Sequence, residues 1–527
     1  MQTPLEEFID YKADTGMQCG NYSIDLPELK EGEQYRFHFD ATACVGCRCC
    51  EVACNEQNNN PADIKWRRVG EMEGGTFPDT LLLFNSMSCN HCVDPACLIG
   101  CPTESYIKIE ETGIVFHDDD VCIGCQYCTW NCPYGVPTYH EERNIVTKCH
   151  MCHERLAQNQ SPACVQACPS GAIEIETVNI TDWLDVNSEN GIDTQGNMPH
   201  LVDARQTNST TRFTLPENMP EIMEEADAHH LKPAHSEMPL VFMTVLTQIS
   251  LGAFFALFLG DFFSLLGLPE PSWIMAAAVV VPAAVGLPLS ALHLGRPFMA
   301  MMAMKNYKTS WLSREAIALG AFTGMMSVNV GLYLTDVSQV LRVSFEGITL
   351  VMGILGIHSQ AMIYRIKARP SWDRKTTNLK FFGTAYIGLF LVAFIALVMN
   401  EVSIALPLIS GAMVMAVAHG FFSYEDRRTL LNASEDAYQL KKTEKLYKEF
   451  FPHITKLRIS TFLVGAVILP LFATMFIVNG YLGLATIDLF VVVVLISISE
   501  LSDRFLFYST VVPLQMAGGF FVGKQRH

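Results

Sequence analysis

The 527-residue sequence predicts a chain of two unlike parts, an α+β cysteine-rich domain followed by an all-α bundle of eight transmembrane helices. All 18 cysteines lie between Cys19 and Cys168, whereas every apolar run long enough to cross a bilayer lies after Pro239. Residues 1–236 carry 14 Lys and Arg against 37 Asp and Glu, and the remainder carries 22 against 17. The acidity of the first part argues against nucleic-acid binding, which needs clustered basic residues.

Sixteen of the cysteines fall into four groups with short, regular spacings. The groups are Cys44-x2-Cys47-x2-Cys50-x3-Cys54, Cys89-x2-Cys92-x4-Cys97-x3-Cys101-Pro, Cys122-x2-Cys125-x2-Cys128-x3-Cys132-Pro and Cys149-x2-Cys152-x11-Cys164-x3-Cys168-Pro. A [4Fe–4S] cluster requires four thiolates, and in two-cluster ferredoxins the fourth cysteine of such a run binds the neighbouring cluster. We therefore expect residues 1–175 to form a ferredoxin-like domain with four [4Fe–4S] clusters in two pairs.

Two other uses of cysteine fit the spacings less well. A disulfide scaffold needs an oxidising compartment and is typical of short chains. Structural zinc uses two C-x2-C pairs per ion and does not need a third closely spaced cysteine. Two cysteines are left over: Cys49 lies between two expected ligands and Cys19 lies outside the pattern. We interpret both as bystanders, since free cysteine often behaves as a small apolar residue.

Four one-electron centres in one small domain predict electron conduction rather than substrate chemistry. The sequence contains no GxGxxG fingerprint after a predicted strand, and no Ser-His-Asp or paired-carboxylate arrangement stands out. We expect the chain to be non-catalytic toward the main substrate on its own, with the substrate chemistry in another polypeptide.

The second part, residues 239–510, contains eight apolar runs of about 20 residues, the length that crosses a bilayer as a helix. The predicted spans are 239–260, 272–292, 314–335, 346–366, 379–399, 403–424, 459–479 and 484–505. Only Asn400, Glu401 and Val402 separate the fifth span from the sixth, which predicts a tight helical hairpin. Residues 176–238 are polar and acidic, and we interpret them as a linker. A His-rich metal site at His229, His230 and His235 is an alternative for part of it.

Basic residues mark one side of the predicted bundle. They cluster after the second, fourth and sixth spans and in the tail, residues 511–527, whereas the opposite loops carry almost none besides Arg342. With eight spans, the basic loops and both termini share one side, which the positive-inside rule places in the cytoplasm. The first residues are acidic and lack the apolar core of a secretory signal. We expect a multi-pass protein of the cytoplasmic membrane with its iron–sulfur domain in the cytoplasm.

A few ionisable residues interrupt the spans, and such residues in a membrane indicate function by default. A quinone site needs titratable groups near the clusters, and we predict it at His293, Arg296, Glu500 and Arg504, with His293 as the first choice. Glu500 and Arg504 could instead form only a stabilising pair one helical turn apart. His358 and His419 could hydrogen-bond neighbouring helices or face each other across a haem, although we expect no haem.

Several segments of the sequence resemble the dimethyl-sulfoxide-reductase family. The run Ser88–Cys97, the run Val121–Cys128 and Cys132-Pro133-Tyr134-Gly135 resemble its electron-transfer subunit. The membrane half is similar to the eight-helix anchor of that family. The segments that carry this similarity are His293-Leu294-Gly295-Arg296-Pro297-Phe298, Leu312-Ser313-Arg314-Glu315 and Ala368-Arg369-Pro370-Ser371-Trp372.

The resemblance implies a separate catalytic subunit with a molybdenum bis-pterin cofactor. It also implies that groups one and four share two clusters and that groups two and three share the other two. The implied ligand sets are Cys44, Cys47, Cys50 and Cys168; Cys149, Cys152, Cys164 and Cys54; Cys89, Cys92, Cys97 and Cys132; and Cys122, Cys125, Cys128 and Cys101. His293 would belong to the quinone site, and the anchor would lack haem.

This sequence departs from most relatives because the cluster subunit and the anchor are fused. Cytoplasmic clusters are similar to the sulfite-oxidising, quinone-reducing branch, so we predict sulfite oxidation coupled to quinone reduction. The alternatives are a quinol-dependent sulfoxide or polysulfide reductase subunit, and an electron-transfer module of a hydrogenase or cytochrome complex. A redox-driven ion pump would need a file of carboxylates, for which the sequence offers Glu500, Asp503 and Asp488, all in the eighth span.

Overall fold

The computed structural model describes residues 26–190, 202–220, 222–226, 228, 230–267, 269–335, 337–432 and 437–518. Cys19, His229 and the tail beyond residue 518 lie outside these ranges. Within them the chain forms the two predicted parts, a cysteine-rich domain with small sheets and a region of eight long apolar helices.

The described part of the cysteine-rich domain contains short helices and strands joined by the cysteine loops. The strands are β1 (Glu33–Asp40), β2 (Arg68–Thr76), β3 (Asp79–Met87), β4 (Tyr106–Lys108), β5 (Val115–His117), β6 (Thr138–His140), β7 (Ile145–Thr147), β8 (Ile173–Asn179), β9 (Arg212–Thr214) and β10 (Met223–Glu225). The helices are α1 (Cys49–Gln57), α2 (Ala96–Gly100), α3 (Tyr127–Asn131), α4 (His153–Ala157), α5 (Ala163–Gln166) and α6 (Ile180–Asn190).

Two three-stranded sheets frame the domain, in the orders β8-β1-β9 and β10-β2-β3. In the first sheet, β1 runs antiparallel to β8 and parallel to β9, with Phe37 opposite Ile175 and Phe39 opposite Phe213. Phe37 and Phe39 are two residues apart on the strand, so they point to the same face and are both buried in the core. Two hairpins, β4-β5 and β6-β7, fill the intervals between successive cysteine groups.

The prediction of a plain linker over residues 176–238 is revised by the structure. β9 and β10 lie in this stretch, and each adds a strand to the edge of one of the two sheets. Thr207 also donates a hydrogen bond to the sulfur of Cys92. A polar composition does not reveal a short edge strand, because only the pairing with β1 and β2 orders the segment.

Eight helices or helix pairs of the described chain are long and apolar enough to cross a membrane, as the sequence predicts. They are formed by α7 (Met238–Ser264), α8 (Trp273–Ala291), α9 (Trp311–Tyr333), α10 (Gln339–Tyr364), α11 with α12 (Lys375–Gly383 and Tyr386–Val398), α13 (Val402–Leu431), α15 with α16 (Pro452–Phe462 and Leu469–Val478) and α17 (Leu482–Ser509). A helix outside the spans, α14 (Tyr438–Glu449), precedes α15.

The first span is the central helix of the bundle, with 83% of its apolar window buried. It packs closely on α12 through glycines. A Cβ atom at Gly252 would lie 1.8 Å from the carbonyl oxygen of Ala385, and one at Gly388 would lie 2.1 Å from the nitrogen of Ala253. Small residues at such crossings are typical of membrane helices, because close backbone contact replaces the hydrophobic driving force that lipid does not provide.

The end of the described chain does not extend away as a free tail. Leu514 donates a backbone hydrogen bond to Ala368 in the loop after α10, at 2.8 Å. Asn85 of β3 donates a side-chain hydrogen bond to the carbonyl of Ala517, which is fully buried together with Met516. Residues 511–518 therefore join the last membrane helix back to the cysteine-rich domain.

We predict that Gly388→Ala destabilises the bundle, because the added methyl group would overlap the backbone of α7. Overpacking of this kind costs about 1–3 kcal/mol. Gly324→Ala is the matched control, since a Cβ atom at this exposed helical glycine meets no atom within 4 Å. Thermal unfolding of the purified complex, followed by helical circular dichroism, measures both. Equal midpoints for the two variants would contradict the close contact.

Candidate functional site

The cysteine loops are shaped by left-handed backbone conformations. Arg48, Gln126 and Cys152 have φ values of 61°, 57° and 51°, and each directly precedes a short helix. The chain curls through the C-x2-C segment and then enters a helical turn. In α1 this places Cys50 and Cys54, four residues apart, on one face of the helix.

The structure brings the sixteen thiols together in four sets, which we name quartets A to D. Quartet A is Cys44, Cys47, Cys50 and Cys168; B is Cys54, Cys149, Cys152 and Cys164; C is Cys89, Cys92, Cys97 and Cys132; and D is Cys101, Cys122, Cys125 and Cys128. These are the sets that the resemblance implies. Iron ligation by these thiols stays a prediction.

The quartets fit a polynuclear cluster better than a single ion. Among the described residues, no three of these thiols lie within 4.8 Å of one another. The ligands of one tetrahedral zinc ion, with Zn–S bonds of about 2.3 Å, would be about 3.8 Å apart. The four thiols of quartet C line one cavity together with Tyr134, Lys148 and Thr207. Its donor set suits a cubane held by four thiolates.

The four quartets follow one another in space. Cys50 of quartet A lies close enough to Cys164 of B for the charge of Cys164 to raise the pKa of Cys50. Cys149 of B is in turn a neighbour of Cys89 in C. Cys97 of C and Cys101 of D lie at the two ends of α2, and both are close enough to the buried phenol of Tyr106 to raise its pKa. The order A, B, C, D is therefore continuous through the domain.

Exposure differs between the two ends of this series. In quartet A, Cys47 is exposed and Cys44 and Cys168 are partly exposed, whereas all four cysteines of D are buried. Burial raises the pKa of the Cys50 thiol to about 11 and that of Cys92 to about 12. Such thiols carry their protons at neutral pH, so metal coordination would have to displace those protons.

Quartet D lies directly against the membrane region. The Nε2 nitrogen of His293 hydrogen-bonds the carbonyl of Cys125 at 2.9 Å, and its Nδ1 faces the Glu237 carboxylate at 3.0 Å. Burial would raise the pKa of Glu237, but the bond with His293 holds that pKa below its ordinary value. Both ring nitrogens of His293 are thus engaged, one by the loop of quartet D and the other by the residue that immediately precedes α7.

Arg296 fixes the same loop. Its guanidinium donates to the carbonyls of Asp119 at 2.9 Å and Cys122 at 3.3 Å, and its backbone nitrogen donates to Ile123 at 3.0 Å. A Cβ atom at Gly295 would lie 2.1 Å from the carbonyl oxygen of Asn144, so only glycine permits this approach. We name residues 293–296 and the loop 119–125 the docking seam.

Aromatic rings fill the space between quartet D and the helices. Trp130, two residues after Cys128, contacts His293, Tyr364, Trp372 and Tyr508, with ring centroids 5.4 to 6.5 Å apart. Tyr127 donates a hydrogen bond to the carbonyl of Ile363 at 3.2 Å. This end of the bundle is therefore apolar, well packed and adjacent to the last quartet.

A buried polar group lies beneath these rings. Gln360 donates to Glu315 at 3.0 Å, Gln248 donates to Gln360 at 2.8 Å, and Arg504 donates to Gln248 at 3.1 Å. We name these four residues the Glu315 network. Sequence analysis identified Arg504 but missed Glu315, Gln248 and Gln360. Each of these three residues is a polar residue isolated in an apolar span, which is the pattern that could have indicated them. Glu315 also ends the segment Leu312-Ser313-Arg314-Glu315, which resembles the anchor family.

The structure does not bring all four predicted quinone residues together. His293 and Arg296 lie in the docking seam and Arg504 in the Glu315 network. Glu500 faces another way: its carboxylate lies 3.1 Å from His419 and accepts hydrogen bonds from Thr384 and Tyr386. Residues four apart lie on the same face of a helix, but Arg504 is one turn further along α17 and reaches Gln248 of α7, whereas Glu500 meets His419 of α13.

The structure gives His358 and His419 different neighbours and corrects one prediction about the membrane carboxyl groups. His358 packs on Trp311, whereas His419 packs against Glu500 and Tyr386, so these histidines have different surroundings. Membrane carboxyl groups are not confined to the eighth span, because Asp261, Glu315 and Glu346 are also buried within spans. A single acidic residue leaves the average hydropathy of a long apolar run high, so the pattern of the spans does not reveal it.

Comparison with known proteins gives matches to both parts of the sequence. Residues 80–178 match a family described as a 4Fe-4S dicluster domain, and residues 232–510 match one described as DMSO reductase anchor subunit (DmsC). An anaerobic dimethyl sulfoxide reductase polypeptide of Escherichia coli (strain K12) is 39% identical over 154 residues, 28% of this chain and 75% of that protein. A sulfite dehydrogenase subunit of Allochromatium vinosum is 35% identical over 154 residues, 25% of this chain and 64% of that protein.

We predict that Cys168→Ser alters the cluster of quartet A and leaves the other three intact, because Cys168 lies beside Cys44 in that quartet. The iron content should fall by up to about four atoms from about sixteen. Cys49→Ser is the control, since Cys49 is exposed and belongs to no quartet. Iron analysis and electron paramagnetic resonance of the reduced protein measure the change. An unaltered spectrum in Cys168→Ser would remove Cys168 from quartet A.

Proposed function

This chain is a member of the family of DMSO reductase anchor subunits, and we propose that it passes electrons between a catalytic molybdoenzyme subunit and membrane quinone through four [4Fe–4S] clusters. It is an iron–sulfur electron-transfer subunit fused to its multi-pass membrane anchor. Its relatives are subunits of larger complexes, and the catalytic subunit is a separate partner of this chain.

The observation that carries the proposal is the unbroken series of quartets from an exposed end to the membrane. Each quartet lies beside the next, and the last one supplies the carbonyl that His293 binds. When bound, a [4Fe–4S] cluster at each quartet would accept and release one electron at a time. The loops and helices of the chain hold the thiolates at fixed positions, which a conducting series requires.

The exposed end suits the catalytic partner. Val45 and Val52 flank quartet A and are 63% and 58% exposed, although both are apolar. Exposed apolar side chains beside partly exposed ligands favour a protein interface there. We propose that the molybdenum subunit covers this surface and exchanges electrons with quartet A.

The buried end suits quinone. Trp130 and His293 lie between quartet D and the bundle, and the Glu315 network lies next to Tyr127 on the membrane side. Reduction of a quinone to a quinol takes two electrons and two protons. Electrons would arrive from quartet D, while Glu315, Arg504 and His293 are the groups that can bind the quinone oxygens or move protons.

The basic loops support the proposed orientation. Arg296 and Lys305 belong to these loops and bind the cysteine-rich domain, Arg296 through backbone carbonyls and Lys305 through Glu104 at 3.1 Å. The basic side of the bundle is thus the side of the clusters. The positive-inside rule supports a cytoplasmic location for both.

For the substrate we propose sulfite, with its electrons delivered to quinone. A cytoplasmic cluster domain and the similarity to a sulfite dehydrogenase subunit support this direction. The similarity to dimethyl sulfoxide reductase polypeptides is at least as high and supports the alternative, a quinol-dependent sulfoxide or polysulfide reductase. Both alternatives use the same series of quartets, because a conducting series works in either direction.

The proposal is tested on the complex purified from its native membrane. We expect molybdenum, at least about sixteen irons per complex, at four per cubane, and sulfite-dependent reduction of a quinone analogue. Molybdenum with quinol-dependent reduction of dimethyl sulfoxide or polysulfide, and no sulfite activity, would replace the substrate. A complex without molybdenum would contradict the proposed partner, leaving a hydrogenase or cytochrome as the alternative.

A second prediction concerns His293. His293→Ala removes the bonds to Cys125 and Glu237 but touches no thiol, so all four clusters should stay intact. Misplacing the loop of quartet D against the quinone site should lower quinone-dependent turnover by about 10- to 100-fold.

Steady-state quinone reduction and iron content measure this effect. His358→Ala is the matched control, as a second membrane histidine that packs on Trp311 away from the docking seam. Equal quinone turnover in His293→Ala and wild type would remove His293 from the site.

A further inference from the structure

A second group of buried ionisable residues lies at the end of the bundle opposite the cysteine-rich domain. Asp261 is in the last turn of α7, Asn329 and Tyr333 are near the end of α9, and Arg342 and Glu346 are near the start of α10. We name these five residues the far-side cluster. The quinone site does not involve them, because they lie at the other membrane surface.

The members of the far-side cluster are closely connected. Arg342 donates to Asp261 at 2.9 Å, and it also donates to Glu270 in the loop between α7 and α8. Tyr333 donates to Asp261 at 2.6 Å and lies 3.4 Å from Glu346. Asn329 donates to Glu346 at 2.9 Å. The carboxyl groups of Asp261 and Glu346 are close neighbours, because both lie within hydrogen-bonding distance of the Tyr333 hydroxyl.

Two oxygen atoms of the cluster have no partner among the described residues. Oε2 of Glu346 and Oδ1 of Asn329 are both buried and make no hydrogen bond. Glu346 as a whole is 0% exposed. A buried acceptor without a donor is costly, and a buried carboxylate without a counter-charge is more so. Something of positive character is therefore needed at Glu346.

The charges of the neighbouring groups indicate that the positive group at Glu346 is a proton. The only guanidinium in the cluster, Arg342, is already paired with Asp261 and Glu270. A third carboxylate, Glu346, would stay uncompensated next to Asp261. Two carboxyl groups in contact in a low-dielectric site cannot both ionise and instead share a proton. A metal cation fits less well, because Arg342 and the Tyr333 hydroxyl already direct positive charge at Asp261.

An apolar layer separates this cluster from the quinone side. Gly353 of α10 packs on Leu251 and Phe322, and Phe322 makes an edge contact with Phe254 at 5.7 Å. Glu346 and Gln360 are fourteen residues apart on α10, which corresponds to about 21 Å. On the outer side, Arg342 leads to Glu270, which is 51% exposed.

We propose that Asp261 and Glu346 form a proton-binding site that exchanges with the aqueous phase on the side of the membrane opposite the iron–sulfur domain. The ligand is one proton shared by the two carboxyl groups. Tyr333 and Asn329 hold the carboxyl groups in place, and Glu270 with Arg342 provides the route to water. The site is separate from the proton chemistry of Glu315, so it is independent of the proposed quinone reaction.

The test is infrared spectroscopy of the complete complex. The spectrum of wild type minus Glu346→Gln should contain the carbonyl band of a protonated carboxylic acid, and that band should shift in D2O. Glu401→Gln is the matched control, because it removes a carboxyl group in the loop between the fifth and sixth spans that belongs neither to the far-side cluster nor to its route to water, and it should leave the band in place. A difference spectrum without such a band would overturn the proposal.

Sidedness is measured with wild type, so it does not depend on a variant that folds. In sealed vesicles of uniform orientation, the pH of one compartment is changed at a time. We expect the band to follow the pH on the side opposite the clusters. A band that follows only the pH on the cluster side would overturn the proposed exchange route.

Discussion

The hydrogen bonds of the docking seam connect the cysteine-rich domain and the membrane bundle into one unit. His293 and Arg296 bind backbone carbonyls of the loop that carries Cys122 and Cys125, rather than the thiols themselves. Carbonyl acceptors leave the sulfurs free for iron while fixing the loop against the bundle. The approach needs Gly295, since any Cβ atom there would meet Asn144. If this seam loosened, the distance from quartet D to the Glu315 network would no longer be fixed.

The bundle places ionisable groups at its two ends and apolar residues between them. Glu315 and Arg504 lie toward the clusters, whereas Asp261 and Glu346 lie toward the far surface. A charged group in a bilayer is costly, so each is paired, hydrogen-bonded or expected to be protonated. The two sets are about 21 Å apart along α10, and the apolar side chains of Leu251, Phe254 and Phe322 lie between them.

Fusion of the two parts has a physical consequence of its own. The stretch before α7 contributes β9 and β10 to the sheets, and residues 511–518 return from α17 to Asn85 of β3. The anchor is thus attached at both of its ends to the cysteine-rich domain. Covalent linkage makes the docking of the two parts an intramolecular event, which raises their effective concentration without new contacts.

The sequence by itself determined the two-part architecture, the eight spans and the cysteine groups, because hydrophobic length and ligand spacing are local properties of a polypeptide. It also identified His293 and Arg504 as unusual residues. The tertiary structure decided what those residues contact: Glu500, one turn from Arg504, meets His419 instead. Contacts between helices depend on rotation and crossing, which single-span patterns do not contain. For the same reason the pairing of Asp261 with Glu346, on helices far apart in sequence, appears only when the bundle is assembled.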